Sequence, residues 1–590
     1  MSEVSREDIP ASMTIFLVNP ACLDARITDE DALLVPMGLF YIGALLKENG
    51  FNVRVVNLAV EQNPMDLLRA MVDAERPAIV GFSVLNANRF SAIEGAGVVK
   101  EVDPEILVVF GGPCATFLCD HLFFTCPALD CVVKGEGELT FLELAERVRH
   151  RGKDQILNAH GDREIKGLAL GNGNRDALHG GGREGSGIVH TQEREPVEDL
   201  DSLPIPGRYF DLAHVSLSRG CPGRCTFCGS PRFWPGSRVR FHSPAWFVEQ
   251  LCLLNQRGIT HFFVSDDTFT MDKIRVIEVC RLIIKKGLDI TWVAISRADF
   301  IDPGILGWMR RAGCTQISFG VESGSAAIRQ TLGKPMKRER IVRAFALTAS
   351  FGILPRAYFI YGSPGETAQT IDESLDLIMD IRPLSAIFYL LVLFPGTGLY
   401  ENLVDQGKLS DSVWSREIED IAWFEKDPDL DLEKVKGFGH SLRRRFYSNL
   451  SDFAAGVELV DDPLFYPFHA DFLSRLAMTF SHGEYARNPW VKDPMATARV
   501  LFDRALAYHP DLRAFLGLAM VFQKERRFDR AIETAALGLN HFKSSRNLTI
   551  CMAVSLMNLG SFQKALGFLE PFEQDPDVKV YVDACRQRTQ

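Results

Sequence analysis

Two long stretches of the chain alternate short apolar runs with amphipathic ones, and this alternation restricts the fold more than any other property of the sequence. From Met13 to about residue 150 the runs MTIFLVNP, FNVRVVNL, PAIVGFSVL, EILVVFGG and LDCVVKGE are separated by stretches such as GLFYIGALLKENG. Apolar runs bounded by Gly, Pro and Asn read as buried strands, and strands that alternate with helices form a parallel sheet covered on both faces. The expectation over 13–150 is an α/β domain, doubly wound and Rossmann-like, with its ligand edge at the strand C-termini. A second alternation runs from His214 to about residue 400 through HVSLSRG, HFFVSDD, DITWVAIS, QISFGVES, PRAYFIYGS and AIFYLLVLFPG. Six strands, each followed by a helix or a turn into one, predict a (β/α)6 partial TIM barrel over 214–400 with its chemistry at the strand C-termini.

The remaining segments are less regular. Residues 151–213 lose the periodicity, and GNGNRDALHGGGREGSG (171–187) is too rich in Gly and polar residues to pack, so the segment reads as a linker with a flexible loop. Residues 401–480 read only as a mainly helical extension. Over 481–590 an all-α helical repeat is expected: Ala498, Phe502, Ala505 and Pro510 have the spacing of the second helix of a tetratricopeptide repeat, and the pairs Phe528/Phe562 and Ala531/Ala565 recur 34 residues apart. Phe515, Leu518 and Phe522, then Met552 and Leu556, supply the partnering helices. An ordinary helical bundle with a coincidental period is the rival reading.

A chain of 590 residues is too long for one core and divides into several domains. Its formal charge of -11 and pI near 5.7 provide no field for phosphate backbones or anionic lipid, which argues against nucleic acid and membrane as partners. No apolar run approaches the roughly 18 residues of a spanning helix, and the N-terminal MSEVSREDIP is unlike a signal sequence, so a cytoplasmic location is expected. Thirteen cysteines in a chain of this size are expected to be mostly reduced thiols.

Three of them are clustered. SRGCPGRCTFCGS (218–230) places Cys221, Cys225 and Cys228 within eight residues, just after the first barrel strand. Structural zinc takes four protein ligands, and the nearest histidines, His214 and His242, lie outside any usual knuckle spacing. A 4Fe-4S cubane held by three cysteines keeps one iron open, which accounts for three thiolates rather than four. Three unrelated cysteines are the remaining alternative, and the Pro and glycines that hold the CPGRC loop open argue against it.

CPGRCTFC resembles the CxxxCxxC loop of radical S-adenosylmethionine (radical SAM) enzymes, and the resemblance extends over residues 214–400. It implies that Cys221, Cys225 and Cys228 hold the cluster, that its open iron chelates the methionine moiety of SAM, and that reduction cleaves SAM to a 5'-deoxyadenosyl radical. It places Phe227 beside adenine and Asp266 and Asp267 of VSDDTFT at the SAM ammonium, for which an acidic pair is physically apt. Glu322 and Ser323 of FGVESGS fall at the ribose or methionine carboxylate, and Gly362, Gly365 and Glu366 of FIYGSPGET at adenine. Arg297 of ISRAD is a further candidate for the SAM carboxylate. Each also has a structural alternative: capping by the Asp pair, an ion pair for Glu322, a tight turn at Gly362.

The N-terminal domain has Gly-rich loops after two strands but no GxGxxG after the first strand and no Walker lysine, which removes the usual nucleotide-binding readings. It resembles the cobalamin-binding domain that precedes radical SAM barrels in one large subfamily. The residues that carry the likeness are Ser83 and Leu85 in GFSVLNA, Gly111, Gly112, Pro113 and Cys114 in VVFGGPCAT, and Gly135 and Glu136 in VKGEGE. The resemblance implies that the serine contacts the dimethylbenzimidazole tail and that the glycines leave room for the nucleotide loop. The family's DxHxxG is absent: with its glycine registered on Gly38, Val35 stands at the position of the cobalt-binding histidine, and the only histidine in the first 149 residues is His121. Cobalamin bound here is therefore expected without a histidine lower ligand.

The function expected is that of a cobalamin-dependent radical SAM enzyme, a methyltransferase acting on an unactivated carbon, with a 4Fe-4S cluster, SAM and cobalamin as cofactors. Its expected partners are a small-molecule or carrier-bound substrate, an electron donor such as flavodoxin or ferredoxin, and a protein held by the C-terminal repeats. The alternatives are a cyclase or rearrangement enzyme without net methyl transfer and a non-catalytic repeat-based binding protein. Methylthiolation of tRNA fits less well, because that group carries another cysteine set and a basic C-terminus.

Overall fold

The computed structural model describes residues 13–22, 34–153, 164–171, 188–234 and 238–589; residues 172–187 of the Gly-rich stretch lie outside them. Strands β1 (Thr14–Asn19), β2 (Asn52–Asn57), β3 (Ile79–Ser83), β4 (Leu107–Gly111) and β5 (Cys131–Val133) form a parallel sheet in the order β2-β1-β3-β4-β5. Helices cover both faces, so every residue of β3 and the first four of β4 are buried, and their sequences are continuously apolar for that reason. The strand order reverses between β1 and β3, which opens a crevice at the C-terminal ends of the strands.

The stretch read as a linker contributes to this sheet. Strands β6 (Leu168–Gly171) and β7 (Ile188–His190) add antiparallel to β5 and to each other. They flank the Gly-rich stretch, and no amphipathic helical run separates them, so the alternation that marks the other strands is missing.

All six apolar runs of the second alternation become strands. β8 (His214–Val215) is followed by the hairpin pair β9 (Ser218–Arg219) and β10 (Arg240–Phe241), then by β11 (His261–Val264), β12 (Thr291–Ser296), β13 (Cys314–Glu322), β14 (Leu354–Tyr361) and β15 (Ser385–Leu390). The sheet order is β15-β14-β13-β12-β11-β8, parallel throughout. β14 shows how the open barrel is built: Pro355, Ala357, Phe359 and Tyr361 are buried beneath helices, while Leu354, Arg356, Tyr358 and Ile360 on the other face stay half-exposed.

Beyond the barrel, the chain first returns over the N-terminal sheet. Leu391, Leu393, Tyr400, Trp414 and Ile421 share a core with Phe82, Phe110 and Cys119. Buried Arg89 ties this crossing down by donating to the carbonyls of Trp414 (3.3 Å) and Arg416 (3.1 Å). Helices Leu432–Ala455 and Tyr466–Ser481 then pack on the far side of the barrel. Successive helices follow at Pro494–Tyr508, Leu512–Lys524, Phe528–His541, Arg546–Asn558, Phe562–Leu569 and Pro576–Thr589, each packed on the next. Phe528 and Phe562 open equivalent helices, and Ala531 and Ala565, three residues on, are fully buried. Gly517 permits the closest approach: a Cβ there would lie 2.2 Å from the Phe502 ring. The helical array starts earlier than residue 481, because Tyr466–Ser481 pairs with Pro494–Tyr508.

Candidate active site

The cysteine loop is clamped at its middle. The Thr226 amide donates to the Leu332 carbonyl at 3.0 Å, and the Thr226 carbonyl accepts from the Leu399 amide at 2.8 Å. Gly333 is required beneath it, since a Cβ at that position would meet the Arg224 carbonyl at 2.6 Å. Cys221, Cys225 and Cys228 are half-buried free thiols. Cys221 Sγ lies 3.6 Å from Thr268 Oγ1 and accepts from the Gly223 amide at 3.4 Å. Burial pushes the Cys225 thiol up and that of Cys228 up to about 11; around Cys225 the cations Lys334 and Arg297 act in the opposite sense.

These residues fit a cluster better than a single ion. Thiolates on one zinc stand roughly 3.8 Å apart, given Zn–S bonds of about 2.3 Å, and the three sulfurs are not gathered within 4.8 Å of one another. Among the described residues the set that is so gathered is Cys119, Asp120 and His190. Ligands of a cubane sit on separate irons and need no such convergence, and the nearby Lys334 and Arg297 suit the net negative charge of a three-thiolate cluster.

The residues expected to hold SAM divide into two groups. Arg297, after β12, reaches the loop: a Cβ added at Gly223 would meet Arg297 Nη1 at 3.5 Å and the sulfurs of Cys221 and Cys225 at 3.3 and 3.7 Å. Its other terminal nitrogen donates to Asp299 at 3.0 Å. Glu322 ends β13 at φ +63°, a strained backbone for a carboxylate residue, and its buried side chain pairs with Lys334 at 2.6 Å. Gly320 makes that pair possible, because a Cβ there would lie 2.3 Å from both charged atoms. Asp267 lines the large cavity described below and accepts from the Ser230 hydroxyl at 2.7 Å. Phe227 packs at the edge of the core shared with the N-terminal sheet.

The second group is committed to the protein itself. Asp266 is buried and accepts from the Leu217 amide at 2.8 Å and from the Ser218 hydroxyl, so of the acidic pair it is Asp267 that faces open space. Burial pushes the Asp266 carboxyl up to about 7 against those hydrogen bonds. Ser323 is enclosed with Ser374 (3.3 Å) and accepts from the Ser325 amide at 3.1 Å. Gly362 (φ +76°) and Gly365 (φ +73°) shape a turn that Glu366 closes by accepting from the Gly362 and Ser363 amides. Burial raises the Glu366 carboxyl to about 7, and its Oε1 has no hydrogen-bond partner among the described residues.

A cavity of about 300 Å³ lies between the crevice of the N-terminal sheet and the start of the barrel. Gly38, Ser83, Gly111, Gly112, Pro113, Gly135 and Glu136 line it from one side, and Ser218, Arg219, Gly220, Trp234 and Asp267 from the other. A Cβ at Gly38 or Gly135 would meet nothing within 4 Å and would project into open space. Such a glycine-walled cradle at the topological switch point fits part of a large planar cofactor and its tail. Leu85 and Cys114 are outside the lining: Leu85 is partly exposed, and Cys114 is buried in the core, its thiol pushed up to about 12 by burial. His121 is also outside the lining, near Trp414, and Val35 is half-buried against the core, so neither the register position nor the lone histidine presents a nitrogen to the cavity.

Glu136, expected from the sequence only as a cobalamin residue, joins the two sides together with Glu138, Arg219 and Arg240, which the sequence did not single out. Glu136 is paired with Arg240 and lies 3.5 Å from Arg219, and Glu138 is paired with Arg219 at 2.6 Å. Burial works against the Glu136 charge, and Arg240 and Arg219 more than offset it, holding its carboxyl below the usual range. Pairs so far apart in the chain leave no local signal.

Residues 31–145 match the model of the B12 binding domain, and residues 215–378 match that of the Radical SAM superfamily. The chain carries a B12 binding domain followed by a radical SAM domain. It is 29% identical over 419 residues to an uncharacterized methyltransferase of Pyrococcus horikoshii, covering 68% of this chain and 86% of that protein. It is 28% identical over 392 residues to the anaerobic magnesium-protoporphyrin IX monomethyl ester cyclase of Rubrivivax gelatinosus, covering 64% and 67%. Among solved structures, the cobalamin-dependent S-adenosylmethionine radical enzyme OxsB with aqua-cobalamin bound superposes with a TM-score of 0.57 over 98% of this chain and 84% of that one. At 16% identity, that likeness concerns the fold. Among the described residues, no helix is long and apolar enough to cross a membrane.

Proposed function

We propose that this B12-binding radical SAM enzyme is a methyltransferase acting on an unactivated carbon. The observation that carries the proposal is the shared cavity: the glycine cradle of the B12-binding side and Asp267, Arg219 and Gly220 beside the cysteine loop line one space. The methyltransferase relative of Pyrococcus horikoshii supports the same reading. In it, Cys221, Cys225 and Cys228 would hold a 4Fe-4S cluster, and Arg297, Asp267 and the Glu322–Lys334 pair would border SAM. Gly38, Ser83, Gly111, Gly112, Pro113 and Gly135 would cradle cobalamin, and no histidine is among the residues that line the cavity. When bound, the cluster supplies an electron for SAM cleavage and the corrinoid supplies a methyl carrier.

The chain's own residues bind and orient these groups. The clamp on Thr226 fixes the cysteine loop, Lys334 and Arg297 balance its negative charge, and Asp267 offers a carboxylate at the mouth of the cavity. The electron comes from a small donor of the flavodoxin or ferredoxin type, and the C-terminal helices hold a protein or carrier-bound substrate. All thirteen cysteines are free, which suits a reducing, cytoplasmic setting.

Anaerobic protein supplied with reductant, cobalamin, methyl-labelled SAM and its substrate tests the proposal. The expected products are 5'-deoxyadenosine, S-adenosylhomocysteine and a labelled substrate. Deoxyadenosine without homocysteine product or label would replace methylation with cyclisation or rearrangement, and absence of every product would overturn the catalytic reading.

A further inference from the structure

The cavity wall contains a closed set of buried charges that bridges the two domains. Arg219 is on β9, two residues before Cys221; Arg240 is its neighbour on the paired strand β10. Glu136 and Glu138 are on the other domain, at the loop that follows β5 and the start of the helix Glu138–Arg151. Their side chains are between 4% and 10% exposed. Two cations and two anions leave the set neutral. Arg240 also donates to the Val197 carbonyl at 2.6 Å, and the Val197 amide donates to Glu136 at 2.9 Å. The Arg219 guanidinium lies 4.8 Å from the Tyr41 ring centre, and the Tyr41 hydroxyl is 3.2 Å from His242 Nε2. Tyr41 belongs to the helix Met37–Glu48, the same helix that presents Gly38 to the cavity.

Burying four charges is a poor way to gain stability, since apolar side chains of similar size do as well or better. What such a set provides is geometry: a forked guanidinium donates to two carboxylates in one arrangement, and a sliding interface would leave a charge unpaired. The other contacts between the domains combine apolar packing of Phe40 and Tyr41 on the barrel core with single hydrogen bonds such as Tyr209 to Glu48, none of which holds two charged pairs at once. We infer that Arg219, Glu136 and Glu138 are positioning residues that lock the cysteine loop to the glycine cradle and thereby set the separation between cluster and corrinoid. The inference rests on the proposed occupancy of the two sites.

Two variants test it in the full-length, reconstituted protein. Glu138→Gln keeps the shape and removes a charge, and Arg219→Lys keeps the charge and removes the fork. Iron, sulfide and bound cobalamin are measured first; failure of the unmodified protein to hold both cofactors sinks the proposed function rather than the clasp. With both bound, pulsed dipolar electron paramagnetic resonance between the reduced cluster and Co(II) reads their separation. A single narrow distance is expected for the unmodified protein and a broadened or shifted one for both variants. Amide exchange over residues 216–228 and 134–139 is expected to quicken, roughly a hundredfold in Glu138→Gln, while the barrel helices are unchanged. An unchanged distance distribution and unchanged local exchange in both variants would overturn the inference. So would uniform acceleration over the whole chain, which is the mark of a merely stabilising pair. A variant too unstable to hold cofactors is judged by the exchange pattern of its partner variant.

Discussion

The barrel meets its neighbours on two sides in contrasting ways. Toward the B12 binding domain it presents Arg219 and Arg240 to Glu136 and Glu138 around an open cavity. Toward the C-terminal helices it merges into one apolar core, in which Phe345, Phe359 and Phe388 continue into Phe446, Phe480, Phe502 and Phe522. Among the polar contacts there, buried Arg310 donates to Asp471 and to the Phe468 carbonyl, each at 2.7 Å. One interface specifies an arrangement around a space; the other removes apolar surface from water and stabilises.

The largest expected effect sharpens what the cavity side is for. Replacing Cys221, Cys225 or Cys228 with Ala should abolish iron, labile sulfide and cluster absorption, without a comparable loss from Cys280 or Cys314, which are fully buried beneath the barrel helices. Equal iron content in the triple variant would remove the cluster from that side.

On the other side, Asp471→Asn should cost about 3 kcal/mol in chemical denaturation, because Arg310 is left buried without its carboxylate. Burial alone would raise the Asp471 carboxyl, but Arg310, Arg475 and Arg513 bring it down to about 2. A carboxyl lowered in the folded state stabilises above its unfolded value of about 3.9 and loses that contribution as pH falls through about 2. The gap between the two proteins should therefore close across that window. A gap that persists at pH 2 would mean that packing, not charge, sets the cost.

Truncation distinguishes the two sides again. Ending the chain after Lys543 removes helices whose core, around Leu548, Met552, Ala565 and Val582, is largely separate. Cluster content should survive, with only a modest loss of stability. Ending after Phe480 instead strips Tyr485, whose hydroxyl donates to the Leu384 carbonyl at 3.0 Å, and uncovers the shared core. That protein should aggregate or fall in yield.

Gly38→Phe should weaken cobalamin binding at least about tenfold, equivalent to about 1.4 kcal/mol, in an absorbance titration, because its side chain would occupy the open space of the cradle. The fold should be unharmed, since Gly is the poorer helix former. The smallest effect is expected for Cys252→Ala, half-buried on the helix Pro244–Gln256, which should leave iron unchanged and stability within about 0.5 kcal/mol.

Much of this molecule was legible from local patterns. All six apolar runs of the barrel formed strands, β8 over only two residues, because the helical stretches between them mark out the alternation. β6 and β7 were missed because they flank the Gly-rich stretch with no amphipathic helical run between them, so no alternation marks them. In the site, the cysteine spacing and the cradle glycines could be read because a loop and a close backbone approach need particular residues. The division of labour between Asp266 and Asp267 could not: adjacent side chains diverge, and which one turns inward depends on Leu217 and Ser218, about fifty residues away.

The sequence by itself determined the alternation of strand and helix, the three-thiolate loop and the glycines of the cradle, because each is a property of residues close together in the chain. Only the tertiary structure decided that the cradle and residues 218–220, just before Cys221, line one cavity, that Glu136 and Glu138 pair with Arg240 and Arg219, and that Glu322 is matched by Lys334. Charges buried across domains are paired by proximity in space, and their partners lie anywhere along the chain that the fold happens to return.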